Sequence, residues 1–219
     1  MKVLLFGATG MVGQGVLREC LLADDVAQVT IVGRSPSGLG HAKLREVVLP
    51  DLFDYRDVAL EGFDACFFCL GVSSAGISEA QYTRLTHDLT LAAAQALARL
   101  NRQMTFVYVS GAGTDSSEQG TSMWARVKGR TENALLRLPF KAVYLLRPGF
   151  IQPLHGAQSK TRSYRLLYSL IKPLNPLLKR ILGRRMASTE SMGRAMLNLA
   201  RHGAPTAVLE AAAITDAAG

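Results

Sequence analysis

The apolar positions of this chain fall into short runs separated by polar and glycine-rich breaks. Val3-Leu4-Leu5-Phe6 opens the pattern; four apolar residues are too few for a helix and read as a strand buried on both faces. An apolar repeat at helical spacing follows, with Val12, Val16 and Cys20 flanked by Leu17 and Leu21. Further strand-like runs cover residues 28–32, 44–49, 64–70, 105–109 and 142–146. Between them, residues 54–62 read as a short helix or turn. Residues 79–100 carry Leu85, Leu89, Ala92, Ala96 and Leu100 at a spacing that predicts one long helix with that face buried. Residues 123–136 predict another helix. Residues 189–202 make a third, with Gly203 placed to end it and Pro205 just beyond. Residues 207–210 suit a last edge strand, and the alanine-rich end is expected to fray. Strands alternating with helices imply a doubly wound α/β fold, a mostly parallel sheet with helices on both faces. Ligands of such sheets bind at the carboxyl ends of the strands. Gly33-Arg34, Pro50-Asp51, Gly71, Ser110-Gly111 and Arg147-Pro148-Gly149 all fall at such ends.

The first strand end carries the sharpest chemical signal. Gly7-Ala8-Thr9-Gly10-Met11-Val12-Gly13 joins strand to helix with three glycines. Gly7 can make the tight turn, Gly10 lets backbone approach a pyrophosphate, and Gly13 lets the helix pack close to the sheet. The helix N-terminus then turns its amides toward the phosphates. This is the context of a Rossmann dinucleotide site.

Composition narrows the field. The 219 residues, 48% hydrophobic and 19% charged, suit one domain over residues 1–219. A formal net charge of +8 favours an anionic ligand or surface. Cys20, Cys66 and Cys69 give no disulfide framework, so reduced thiols and a cytoplasmic location are expected. Cys66 and Cys69 stand three apart in a strand and should point to opposite faces, which argues against a shared zinc or redox site. No cluster has metal-ligand spacing, so no metal is expected. The first apolar run breaks at Gly7 without signal-peptide flanks, and no run of eighteen apolar residues exists. Neither a leader nor a transmembrane helix is therefore expected. Residues 160–185 hold eight Lys or Arg and no Asp or Glu, with Pro173 and Pro176 splitting the stretch into two short helices. Peripheral membrane or nucleic-acid contact through this stretch would rest on charge alone, and no nucleic-acid partner is expected. The pattern leaves the oligomeric state open.

Taken together, Gly7–Gly13, Gly33-Arg34, Asp51-Leu52, Tyr108-Val109-Ser110, Lys128-Gly129 and Arg147-Pro148-Gly149 resemble an atypical short-chain dehydrogenase/reductase. The branch is the one that holds the Tat-interacting-protein-like oxidoreductases and many bacterial proteins named sugar-nucleotide epimerases. The resemblance spans nearly the whole chain. It implies an NADP-binding oxidoreductase for a small carbonyl or alcohol substrate. It also implies cofactor contacts from Gly7, Thr9, Gly10, Met11, Val12, Gly13, Arg34, Asp51, Leu52, Leu70, Gly71, Lys128 and Pro148. Ser110 would orient the substrate and Lys128 would hold the nicotinamide ribose. The basic segment 159–185 would form a substrate-side lid.

Two positions set the chemistry. Arg34 follows the second strand where an NAD site places an acidic residue, and a guanidinium fork suits a 2′-phosphate. Four residues before Lys128 stands Trp124, where the family has tyrosine. An indole N–H only donates and cannot serve as general acid or base. The proton would have to come from Ser110, a bound water or a tyrosine elsewhere, with Tyr82, Tyr164 and Tyr168 as candidates. His87 could shuttle protons or stand solvated. Ser73 and Ser74 could border the substrate or only cap the next helix. A rival reading is a non-catalytic regulatory, sensor or assembly protein that carries NADPH.

Overall fold

The computed structural model describes residues 1–56, 58–158, 183 and 186–219. The expected basic lid at 159–185, with Tyr164 and Tyr168, lies outside the described residues apart from Gly183. The element order is β1 (Lys2–Phe6), α1 (Met11–Leu22), β2 (Gln28–Gly33), β3 (Leu44–Val48), β4 (Ala65–Phe68) and α2 (Glu79–Thr83). A π-helical turn over Arg84–Asp88 leads into α3 (Leu89–Leu100), then β5 (Thr105–Val109), α4 (Met123–Leu135), β6 (Ala142–Arg147) and β7 (Ile151–Gln152). The chain closes with β8 (Ala187–Ser188), α5 (Thr189–His202), β9 (Val208–Glu210) and α6 (Ala211–Ala217).

Seven strands form one parallel sheet in the order β3-β2-β1-β4-β5-β6-β9, and β7 pairs with β8 beside it. Alternation within each strand feeds two cores. Val3, Leu5, Ala65 and Phe67 face α1, α5 and α6. Leu4, Phe6, Cys66 and Phe68 face α3 and α4. Cys66 and Cys69 accordingly lie on opposite faces, as their spacing requires.

Residues 54–62, expected as a short helix or turn, take the second form, with a turn at Arg56 and no helix among the described residues. Two expectations need correcting. The long helix buries more than the expected face: Leu89 and Ala96 are buried as expected, but Thr86, Thr90, Ala93 and Leu97 are buried beside them while Leu85 and Leu100 are exposed. The buried polar members explain the error, because an apolar count overlooks them. Thr90 donates its hydroxyl to the Thr86 carbonyl at 2.5 Å, and the Asn101 amide donates to the Leu60 carbonyl at 2.6 Å. Finally, the alanine-rich end is an ordered helix, α6, anchored by the fully buried Ile214 and by Asn198, which donates to the Ala217 carbonyl.

The α1–α5 contact fixes the sheet's first helix from its side. A Cβ on Gly15 would lie 2.4 Å from the Thr189 carbonyl oxygen, and one on Gly193 would lie 2.7 Å from Glu19 Cγ. Backbone that close cannot yield without moving a helix. Gly15→Ala is therefore expected to lower the unfolding free energy by about 1–3 kcal/mol. Gly40→Ala, with nothing within 4 Å of the added carbon, should change it by less than about 0.5 kcal/mol. Urea denaturation of both variants checks the contrast.

Candidate functional site

The strand ends open into a cleft of about 750 Å³. Its floor is the turn after β1. Gly7 has φ +79°, and a Cβ there would sit 2.8 Å from the backbone of Cys69 and Leu70. The Gly10 N–H donates to the Gly7 carbonyl at 2.9 Å. Gly10 then caps α1 without a side-chain bond, and the first turn holds no acidic residue. Thr9, Gly10, Met11 and Val12 line the cleft. Uncapped amides and the positive end of the helix dipole thus face open space, which is what an anion requires. Gly13 is not on the wall. Its part is packing, since a Cβ there would lie 2.1 Å from the Gly7 carbonyl oxygen.

β2 and β5 stand three strand spacings apart, so the cleft spans about 14 Å across the sheet. At the β2 end, Arg34 is exposed and has neither hydrogen bond nor ion pair among the described residues. Ser35, Pro36, Ser37 and, from β3, Glu46 complete that end. Asp51 and Leu52 line the neighbouring wall, where Asp51 Oδ1 accepts the Phe53 N–H at 2.9 Å. Leu70 and Gly71 line the middle, after β4.

At the β5 end stand Ser110, Lys128 and Pro148. The Thr114 hydroxyl donates to the Gly111 carbonyl at 2.7 Å and lies 3.0 Å from Ser110 Oγ. With its single proton used on that carbonyl, Thr114 can only accept from Ser110. Ser110 therefore offers the cleft lone pairs. Lys128 Nζ sits 5.5 Å from the centre of the Tyr108 ring, within cation–π range. Burial pushes the Lys128 ammonium down to about 8, against the pull of Glu132 one helical turn away. Glu132 is itself buried and held by Arg147, whose Nε lies 3.1 and 3.2 Å from its two oxygens. Arg147 also reaches Ser116 at 2.6 Å and Glu210 at 3.3 Å.

Trp124 does not line the cleft. Its ring lies against the Gly111–Gly113 loop, 3.5 Å from where a Gly113 Cβ would stand. His87 pairs with Asp88 at 2.8 Å on the helix surface, and Ser73 accepts the Ala75 N–H as a turn residue does. Tyr82, on α2, is buried and does not line the cleft. Pattern reading gave no role to Glu46, Thr114 and Glu132, and named Tyr108 only within the Tyr108-Val109-Ser110 run. Only Glu132 left a trace, four residues after Lys128.

The cleft offers unpaired amides at the α1 N-terminus, a guanidinium at Arg34 and a polar end at Ser110 and Lys128, an arrangement whose shape and charge suit an elongated anion. Among the described residues there is no group of His, Cys, Asp and Glu fit to hold a metal, and no helix is long and apolar enough to cross a membrane.

Comparison with known proteins agrees with this geometry. A family model described as NAD(P)H-binding matches residues 7–147. The protein fmp52, mitochondrial, of Emericella nidulans is 34% identical over 159 residues, covering 68% of this chain and 66% of that protein. Rattus norvegicus protein HTATIP2 is 28% identical over 154 residues, covering 68% of this chain and 62% of that protein. The chain thus spans slightly under two thirds of the length of these relatives. Among solved structures, the Bordetella bronchiseptica enzyme WbmF in complex with NAD+ superposes with a TM-score of 0.68 at 17% identity, over 99% of this chain and 76% of that one.

The electrostatics of Lys128 give a sign that can be checked. A lysine whose folded value, about 8, lies below the ordinary 10.5 costs stability while it is charged. That cost is full below about pH 8 and fades as the pH rises toward 10.5. Lys128→Met should accordingly raise the unfolding free energy at pH 7 by about 1–2 kcal/mol, with the gap closing near pH 10. Urea denaturation at the two pH values measures it. A less stable variant at pH 7 would contradict the assignment.

Proposed function

The chain belongs to the NAD(P)H-binding family of atypical short-chain dehydrogenase/reductase-like Rossmann proteins, and on that premise we propose that it is an NADPH-dependent oxidoreductase of a small carbonyl or alcohol. The carrying observation is the single cleft that runs from an unpaired Arg34, past an uncapped helix N-terminus, to Ser110 and Lys128. Residues 1–219 act in this reading as one cofactor-binding unit. Reduced Cys20, Cys66 and Cys69 support a cytoplasmic location, although the fungal relative carries the word mitochondrial in its name.

NADPH, when bound, supplies the hydride. The protein's part is positioning and charge. Gly7, Thr9, Gly10, Met11 and Val12 hold the pyrophosphate, with Gly13 setting the helix that aims them. Arg34 takes the 2′-phosphate through charge-assisted bonds. Asp51 and Leu52 flank the adenine, while Leu70, Gly71 and Pro148 border the nicotinamide. Lys128 holds the ribose and supplies positive charge beside the reacting centre. Ser110 receives a hydrogen bond from the substrate's hydroxyl, since its own proton goes to Thr114. Trp124 contributes no proton, so a tyrosine-type acid is missing from its usual place. General acid–base catalysis is worth about 10²–10⁴-fold, and turnover should be slow by that order.

Calorimetric titration with NADPH and NADH, followed by turnover assays on a carbonyl and alcohol panel, tests this reading. NADPH should bind more tightly than NADH. Arg34→Ala should erase that preference, and Lys128→Ala should weaken both cofactors. Trp124→Tyr should increase carbonyl reduction. Equal affinities, or a preference untouched by Arg34→Ala, would contradict the cofactor assignment. NADPH binding without turnover in either wild type or Trp124→Tyr would favour a cofactor-carrying regulatory protein.

A further inference from the structure

The β2 end of the cleft holds a charge that opposes Arg34. Glu46 lies on β3 directly opposite Ile31 in the parallel register, three residues before Arg34, and both Ile31 and Glu46 line the cleft. The loop that follows Arg34 folds back onto this carboxylate. Ser37 donates its backbone N–H to the two Glu46 oxygens at 3.2 and 3.3 Å, and its hydroxyl donates to Oε1 as well. These bonds hold the carboxylate at the cleft wall. Both donors are neutral, and Glu46 has no ion pair among the described residues. Its negative charge therefore stays in the field of the site.

We infer that Glu46 is a second determinant of cofactor choice, set against Arg34. The inference rests on the dinucleotide reading above and adds a residue to it. Its logic is electrostatic. A 2′-phosphate carries about two negative charges, and a carboxylate beside it raises the energy of the bound state, less so as salt screens it. A ribose 2′-hydroxyl is instead a donor, and a carboxylate is an acceptor for it. Arg34 favours the phosphate and Glu46 the hydroxyl. Wild-type selectivity for NADPH is then smaller than Arg34 alone would produce. Ser37 takes part indirectly, by fixing where the carboxylate stands.

Titration of NADPH and NADH into wild type, Glu46→Gln and Ser37→Ala separates charge from loop anchoring. Glu46→Gln keeps the shape and an acceptor for Ser37 but removes the charge. It should tighten NADPH by about three- to tenfold, leave NADH unchanged or weaker, and do so more strongly at low salt. Ser37→Ala keeps the charge and removes one anchor, so the NADPH-to-NADH ratio should not rise. A ratio in Glu46→Gln within about twofold of wild type overturns the inference, as does an equal loss for both cofactors, or a rise in Ser37→Ala matching that in Glu46→Gln. Failure of wild type to bind either cofactor would overturn the dinucleotide reading itself, and this inference with it.

Discussion

The geometry of the cleft depends on one close approach, that of α1 to the turn it springs from. The Gly13 Cα stands so near the Gly7 carbonyl that an added Cβ would come within 2.1 Å of the oxygen. No side chain can occupy that gap, and any would lever the helix away from the sheet. With the gap closed, Gly10 starts the helix at the carboxyl end of β1, and its first amides face the cleft. The same helix is pressed from its side by α5, its neighbour on that sheet face, through Gly15 and Gly193. Ser188 caps α5 reciprocally with Ser191, fixing where that neighbour begins. Phosphate-end geometry is thus set by missing side chains on two sides of one helix rather than by any ligand-binding side chain.

The other end of the cleft is set by how charges and protons are already committed. Glu132 is bound to Arg147, so Lys128 feels its pull without being neutralised by it. The Tyr108 ring gives Lys128 a polarisable face in place of a carboxylate. The Ser110 hydroxyl donates to Thr114, and the Thr114 hydroxyl donates to the Gly111 carbonyl. The result is a site with a cation and an acceptor but no phenol, because Trp124 lies on the Gly111–Gly113 loop. That combination suits holding an anionic cofactor and a hydroxyl-bearing substrate better than rapid protonation of a carbonyl.

How much of this was legible in the sequence follows from the range of each interaction. Strand alternation is local, and the two faces of Cys66 and Cys69 came out as their spacing requires. The glycine turn is also local, since strand, spacing and helix lie within eleven residues. The buried face of the long helix is wider than its apolar spacing implies, because Thr86, Thr90 and Asn101 are buried with their own hydrogen-bond partners or within a π-helical turn. Apolar counting cannot see such residues. The alanine-rich end looked free because Ile214 is its one large apolar side chain in the core and small alanines and the Asn198 bond to Ala217 do the rest. Asp25, just past α1, pairs with Arg201 from α5, a contact that spacing along the chain does not carry. Glu46 and the Glu132–Arg147 pair are made by neighbours across strands or loops, and spacing along the chain carries no trace of those partners, whereas Thr114 meets Ser110 and Gly111 within its own loop.

The central claim is that the turn at Gly7–Gly13 and the strand ends beside it form a dinucleotide cleft. Amide hydrogen–deuterium exchange with and without saturating NADPH tests it most directly, because it reads the backbone that would touch the cofactor. Slowed exchange is expected at residues 9–13, 34–37, 51–53 and 69–71, with α5 and α6 unchanged. Protection confined to other regions, or none at the 9–13 amides while NADPH is demonstrably bound, would contradict it.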